Sequence, residues 1–137
     1  MRLFSLLLLS IGALLCSAAN NCAWFVGRLQ CSDPTKLENV VIEIWDKDRS
    51  FFPLTLFVDD DLAGRTITSA DDAGTFKVEG CASDVDFLFL RNDPEFYLRI
   101  RHYCKGKAEV TIAKPKNDKI FVPETNDYFT RHPIVLG

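Results

Sequence analysis

The chain has 137 residues, a hydrophobic content of 47% and a formal net charge of −3. This length predicts one domain with a single core. The acidic balance argues against nucleic acid as a partner. After residues 1–19, no apolar run reaches the roughly 18–20 residues that a membrane-spanning helix needs, so we expect no transmembrane segment.

The N-terminus has the pattern of a secretory signal peptide. Arg2 supplies the positively charged N-terminal region, and residues 3–15 form the apolar region. The small residues up to Ala19 suit a cleavage site. We therefore expect residues 1–19 to be removed and residues 20–137 to form the mature domain. This pattern predicts a secreted, extracellular protein.

Apolar and polar residues alternate with a period of two along three segments, which predicts half-buried strands. These segments are Trp24–Cys31, Val40–Trp45 and Phe96–Cys104. Shorter strand candidates are Leu62–Thr68, Thr75–Val78, Ala108–Ala113, Lys119–Val122 and His132–Leu136. Seven to eight short strands separated by turns predict an all-β sandwich.

Two connecting segments carry specific expectations. The run Asp71-Asp72-Ala73-Gly74 lies between two strand candidates and indicates a hairpin loop with Gly74 at a positive φ. Residues 82–90 allow one short helix, because Ser83 or Asp84 could cap its N-terminus.

Four cysteines remain once the signal peptide is removed: Cys22, Cys31, Cys81 and Cys104. An even number in a short exported chain predicts two disulfides. A strand from Trp24 to Cys31 would hold Cys22 and Cys31 up to about 30 Å apart. A bond between them is disfavoured, because a disulfide needs Cα atoms within about 7 Å. Two pairings remain: 31–104 with 22–81, or 22–104 with 31–81.

Several short motifs occur in order between Phe25 and Cys104. The specific ones are G-x-L-x-C at Gly27–Cys31 and H-x-C at His102–Cys104, which ends a strand that follows an Asp-Pro pair. The others are a strand ending in an aromatic residue and an acid at Val40–Asp46, D-D-L at Asp60–Leu62, and D-x-x-G-x-F at Asp71–Phe76. Together these motifs resemble the nematode transthyretin-like family.

The resemblance implies a transthyretin-like (prealbumin-like) β-sandwich. It also implies a disulfide between the cysteines of the two specific motifs, Cys31 and Cys104. Cys22 would then pair with Cys81.

The same fold occurs in hydroxyisourate hydrolases, which use histidines, an arginine and a C-terminal Y-R-G-S motif. This chain lacks that motif and has two histidines, His102 and His132. His102 lies on the apolar face of its strand, where a buried structural histidine is expected. We therefore expect no catalytic residue, no cofactor and no enzymatic activity.

Acidic runs at Asp59–Asp61 and Asp71–Asp72 could offer oxygen ligands to calcium, but their spacing matches no calcium loop. Two histidines and no free thiols argue against zinc. We expect solvated acidic loops and no metal site.

Basic and aromatic side chains share the outward face of the Phe96–Cys104 strand. These candidate anionic-ligand residues are Tyr97, Arg99, Arg101 and Tyr103, followed by Lys105 and Lys107. Arginine and tyrosine at alternate positions can hold an anionic head group. The alternative is a solvated sheet face whose arginines pair with acids such as Glu43.

The resemblance implies that some family members bridge anionic phospholipid on dying cells to an engulfment receptor. We therefore predict a secreted, non-enzymatic binding or adaptor module that recognises anionic phospholipid (phosphatidylserine) at cell surfaces and links it to a receptor. The alternatives are an extracellular carrier of a small hydrophobic ligand and, with least support, a hydroxyisourate hydrolase.

Overall fold

The structure is a computed structural model, and it describes residues 17–47, 60–86, 95–114 and 126–137. The described residues form eight strands and two short 3-10 turns, at Pro34–Leu37 and Ala70–Asp72. The strands are β1 Ser17–Gln30, β2 Val41–Asp46, β3 Asp61–Ile67, β4 Thr75–Asp86, β5 Phe96–His102, β6 Glu109–Ala113, β7 Asn126–Phe129 and β8 Ile134–Val135.

These strands form two sheets. In the first sheet β1 is central: it pairs antiparallel with β4 and parallel with both β7 and β8. The second sheet has the order β3-β2-β5-β6, and all its neighbours are antiparallel. The predicted all-β sandwich is confirmed.

The core lies between the sheets and is built by the period-two alternation of β1, β2, β4 and β5. Phe25 and Leu29 of the first sheet face Ile42, Leu98 and Ile100 of the second, and each of them is at most 1% exposed. Burying a side chain of this size stabilises the fold by about 1.5–3 kcal/mol.

One side of the sandwich is closed by a glycine contact between β3 and β4, which belong to different sheets. A Cβ atom on Gly64 would overlap the backbone of Glu79, and one on Gly80 would overlap the backbone of Ala63. The two strands can approach this closely because neither glycine has a side chain.

Two expectations about connecting segments were wrong. The short helix expected over residues 82–90 is not present at its start, because residues 82–86 continue β4 and pair with the N-terminal part of β1; residues 87–90 lie outside the described residues. The run Asp71–Gly74 is not a hairpin, because β3 and β4 lie in different sheets. Gly74 does adopt the expected positive φ, at 81°.

One predicted strand near the C-terminus, Lys119–Val122, lies outside the described residues. The strand β7, Asn126–Phe129, was not predicted from the sequence. At the N-terminal end, β1 begins at Ser17, so the predicted cleavage position after Ala19 falls inside this strand.

Across the part of the chain that the structure describes, no helix has the length and hydropathy to cross a membrane.

Candidate functional site

The outer face of β5 presents the predicted basic and aromatic side chains. Along this strand, buried residues alternate with Tyr97, Arg99 and Arg101, which are partly or fully exposed. Tyr103 lies just beyond the end of β5 and is 61% exposed. The structure therefore places Tyr97, Arg99 and Arg101 on one face, opposite Leu98 and the other core residues of β5.

A buried carboxylate lies at the centre of this face. Glu43 of β2 is 1% exposed. It accepts hydrogen bonds from the indole Nε1 of Trp45 at 3.0 Å and from the guanidinium of Arg101 at 2.6 Å. The alternative considered from sequence, that an arginine of this face pairs with Glu43, thus holds for Arg101, although half of the Arg101 side chain remains exposed.

The pKa of Glu43 reflects a competition between burial and its donors. Burial by itself raises the pKa of this carboxyl, but the hydrogen bonds from Trp45 and Arg101 lower it and leave the pKa below the ordinary value of 4.5. The nearby charges of Arg101 and Arg99 act in the same direction. Glu43 is therefore ionised at neutral pH and orients Arg101.

Arg99 and Tyr97 are also held by neighbouring side chains. The guanidinium carbon of Arg99 lies 5.3 Å from the centre of the Trp45 ring, within the range of a cation–π contact. The Tyr97 hydroxyl donates to Asp60 at 2.7 Å. Burial, together with this hydrogen bond to a carboxylate, raises the pKa of Tyr97 to about 12. Tyr97 thus acts as a neutral donor at every physiological pH.

Lys105 and Lys107 lie in the turn between β5 and β6 and not on the strand face itself. The side chain of Lys105 lies beside Gly137 at the C-terminus. The ammonium of Lys107 lies 3.5 Å from the Glu109 carboxylate, and three quarters of its side chain is exposed. The turn therefore extends the basic surface past one end of β5.

Two apolar residues of this surface were not assigned from sequence. Val110 and Ile112 of β6 are each 50% exposed and point outward. Val110 lies opposite Arg101 in register, and Ile112 lies opposite Arg99. In β6 the apolar Val110 and Ile112 alternate with the polar Glu109 and Thr111. Period-two alternation assigns the apolar residues of a strand to the core, so for β6 it predicts the opposite of what the structure shows. We call Arg99, Arg101, Val110 and Ile112 the β5–β6 surface.

His102 is a structural residue of the core. It is 2% exposed, its Nδ1 accepts from the backbone amide of Cys104 at 3.4 Å, and its Nε2 lies 2.9 Å from the Thr111 hydroxyl. An Nδ1 that accepts leaves the proton on Nε2, so the ring is neutral and donates to Thr111. Both nitrogens are engaged, which argues against acid–base catalysis by this side chain.

The acidic runs have structural partners as well. Asp60 accepts from Tyr97, and Asp72 accepts from the backbone amide and hydroxyl of Ser69. Within residues 17–47, 60–86, 95–114 and 126–137, no three His, Cys, Asp or Glu side chains are placed to hold a metal ion together. Asp59 lies outside the described residues.

The structure contains both disulfides that the family resemblance implies, Cys22–Cys81 and Cys31–Cys104. Cys22 and Cys81 are directly opposite each other in the β1–β4 ladder, on its exposed side. Cys31 and Cys104 are buried, at 8% and 6% exposure, and join the two sheets. The two bonds thus have different solvent access.

Comparison with known proteins supports the same family. A search of curated proteins and a search of solved structures each gave no match. Residues 26–123, well over half of the chain, match the family described as TTR-52, transthyretin-like family. The chain belongs to the transthyretin-like family.

Proposed function

We propose that the chain is a secreted, non-enzymatic binding module. It recognises anionic phospholipid head groups, phosphatidylserine in particular, and links them to a receptor in the clearance of dying cells. The observation that carries the proposal is the register of the β5–β6 surface, in which Arg101 lies opposite Val110 and Arg99 opposite Ile112. Such pairs suit a membrane interface, where the guanidinium meets phosphate and the apolar side chain enters the acyl boundary.

The expected affinity is modest. Each basic residue near an anionic surface contributes about 1 kcal/mol, so Arg99, Arg101, Lys105 and Lys107 together contribute about 4 kcal/mol. That corresponds to a millimolar dissociation constant. Val110 and Ile112 are half exposed, and burying the rest of each contributes about 1 kcal/mol more. Useful binding therefore depends on the apolar pair as well as on charge.

Glu43 reduces the net charge of this surface but fixes its geometry. A guanidinium has five N–H donors, and the bond to Glu43 uses only part of this set. An arginine held in place by a buried carboxylate loses less side-chain entropy when it binds a phosphate. Glu43 thus favours a defined contact over a diffuse one.

A module that links lipid to a receptor needs a second surface, and the first sheet offers one. Its outer face carries Trp24 and Phe129, which are 36% and 45% exposed. The ammonium of Lys77 lies 4.6 Å from the centre of the Trp24 ring. Exposed aromatic side chains are enriched in protein interfaces, and this face points away from the β5–β6 surface.

Co-sedimentation with vesicles tests the lipid part of the proposal. The protein should sediment with phosphatidylcholine vesicles that contain phosphatidylserine, and not with pure phosphatidylcholine vesicles. Binding should weaken as salt is raised, because the charges are exposed. A Val110→Ser/Ile112→Ser variant should lose about thirtyfold in affinity, since it removes about 2 kcal/mol of apolar contribution without touching the core.

The matched control is Phe129→Ser/Val135→Ser, which removes two exposed apolar side chains from the first sheet. This variant should bind vesicles as the unmodified protein does. Equal binding to neutral vesicles, or equal losses in the two double variants, would contradict the proposal and leave the β5–β6 surface as an ordinary solvated sheet face.

Secretion rests on the N-terminal sequence and on the two disulfides, which form in oxidising compartments. Expression with the native N-terminus in a eukaryotic secretory host tests it. Protein in the medium that begins at Asn20 supports removal of residues 1–19. Retention of the chain inside the cell with Met1 in place would contradict it.

A further inference from the structure

A cleft opens on the side of the sandwich opposite the glycine contact, between β6 of one sheet and β7 and β8 of the other. It has a volume of about 150 Å³. The lining residues are Phe25, Leu98, Ala113, Lys114, Tyr128, Thr130, His132 and Ile134. No part of it belongs to the β5–β6 surface, so it is a separate site.

The inner walls of the cleft are aromatic and aliphatic. The rings of Phe25 and Tyr128 stack with their centroids 4.6 Å apart. Leu98 from the facing sheet is 1% exposed. Burial raises the pKa of Tyr128 above its ordinary value, so its ring is neutral here. A cavity of this volume with such walls accommodates one benzene-sized ring.

The mouth of the cleft is polar and basic. Lys114, immediately after β6, and His132, between β7 and β8, line the cleft and are both exposed. A lysine ammonium and an imidazole N–H are donors for a carboxylate. A ligand with an apolar ring and one acidic group would therefore find a matching environment at each end.

A buried hydroxyl group also lies at the cleft. The Thr130 hydroxyl is buried and has no hydrogen-bond partner among the residues that the structure describes. It lies in the space that a side chain at Gly27 would need. Buried hydroxyls without a partner are uncommon and call for an explanation such as an absent water or ligand.

We infer that this cleft binds a small monocyclic aromatic acid. The ring lies inside, against the Phe25–Tyr128 stack, and the carboxylate lies at the mouth, where it accepts from Lys114 and His132. A ligand of this size has few atoms to contact the walls, so we expect weak but saturable binding. This inference is independent of lipid recognition and holds whether or not vesicles bind.

Fluorine NMR with 4-fluorobenzoate and fluorobenzene as probes tests the inference. Both probes should show saturable line broadening when the secreted protein is added. Lys114→Gln should weaken 4-fluorobenzoate about three- to fivefold, as for a partly exposed ion pair, and should leave fluorobenzene unchanged. Lys107→Gln, a lysine on the β5–β6 turn, is the matched control and should change neither.

Filling the cleft tests its location. Ala113→Leu should reduce binding of both probes at least tenfold, whereas Ala108→Leu, at an exposed position before β6, should not. If Ala113→Leu fails to fold, Ile134→Phe serves the same purpose from the opposite wall. Absence of saturable binding, or binding that survives the filled cleft, would overturn the site. Equal losses for both probes in Lys114→Gln would overturn the assignment to acids.

Discussion

Glu43 of β2 and Arg101 of β5 form a diagonal ion pair across the second sheet. Arg99 is the residue directly opposite Glu43, and Arg101 is directly opposite Val41. The guanidinium of Arg101 nevertheless reaches back to the carboxylate at 2.6 Å. The pair is uneven, because Glu43 is buried whereas half of the Arg101 side chain is exposed.

Because Glu43 is buried, loss of its partner Arg101 should lower the free energy of unfolding. Arg101→Met should destabilise the fold by about 2 kcal/mol, because it leaves a buried carboxylate supported mainly by the Trp45 indole. Adding Glu43→Gln should restore most of that loss, since the amide is neutral and still accepts from Trp45. Urea denaturation of both single variants and the double variant forms a double-mutant cycle. Additive effects would show that the pair does not couple.

Burial of His102 predicts a specific dependence of stability on pH. Burial lowers the pKa of His102 below its ordinary value of 6.5, an effect that Glu109 opposes and Lys105 reinforces. Below about pH 6.5 the unfolded chain takes up a proton that the folded chain resists. Stability is therefore full above that pH and falls as the pH decreases through 6.

The measurement is the urea midpoint at pH 7.5 and at pH 5.5, a range that lies above the ordinary pKa of the carboxylates. His102→Gln should flatten the difference between the two midpoints. His132→Gln is the matched control, because His132 is exposed, and it should keep the difference. A slope that persists without His102 would assign the pH effect to another group.

The two disulfides should stabilise the fold to a similar extent but differ in how easily they are reduced. They close loops of similar length, with sequence separations of 59 and 73 residues. Loop closure therefore stabilises the fold by about 4 kcal/mol in each case. Only Cys22–Cys81 is exposed to a reductant in solution, whereas Cys31–Cys104 is covered by the core.

Titration with dithiothreitol, followed by alkylation and peptide mapping, tests this difference. Cys22 and Cys81 should be labelled first, in protein that remains folded. Cys31 and Cys104 should be labelled only in parallel with unfolding. Simultaneous labelling of all four cysteines in folded protein would contradict the predicted order.

Glycine positions at the β3–β4 contact should tolerate no side chain. Gly80→Ala should destabilise the fold by roughly 3 kcal/mol, because the new Cβ overlaps backbone atoms of Ala63 that belong to the other sheet. Gly106→Ala is a useful comparison. Its φ is +77° but it has open space around it, so it should lose only about 1 kcal/mol from backbone strain. Thermal unfolding of the two variants checks the order, and equal losses would argue against a backbone overlap.

Several motif residues serve the fold. Asp46, the acid that ends the Val40–Asp46 motif, accepts from the backbone amide of Glu95 at 2.8 Å and so holds the start of β5. Gly27, the motif glycine of β1, leaves room for the ring of Phe76 and the hydroxyl of Thr130. The motifs that carry the family resemblance therefore identify residues that support the fold. The surfaces proposed to bind ligands are formed by other residues.

The sequence by itself determined the inner faces of β1, β2 and β5. Successive side chains on a strand point to opposite faces, with a period of two residues, so a long alternation such as Phe96–His102 shows which residues face the core. The even number of cysteines in the mature chain and the two specific motifs then indicated two disulfides and the family.

Only the tertiary structure decided the features that depend on which strands become neighbours. In β6, Glu109 and Thr111 point inward because they lie beside His102 and Ile100 of β5, and Val110 and Ile112 therefore point outward. Likewise β4 extends to Asp86 because β1 continues beside it. Such choices are made by contacts between residues far apart in the chain, and a local pattern contains no information about them.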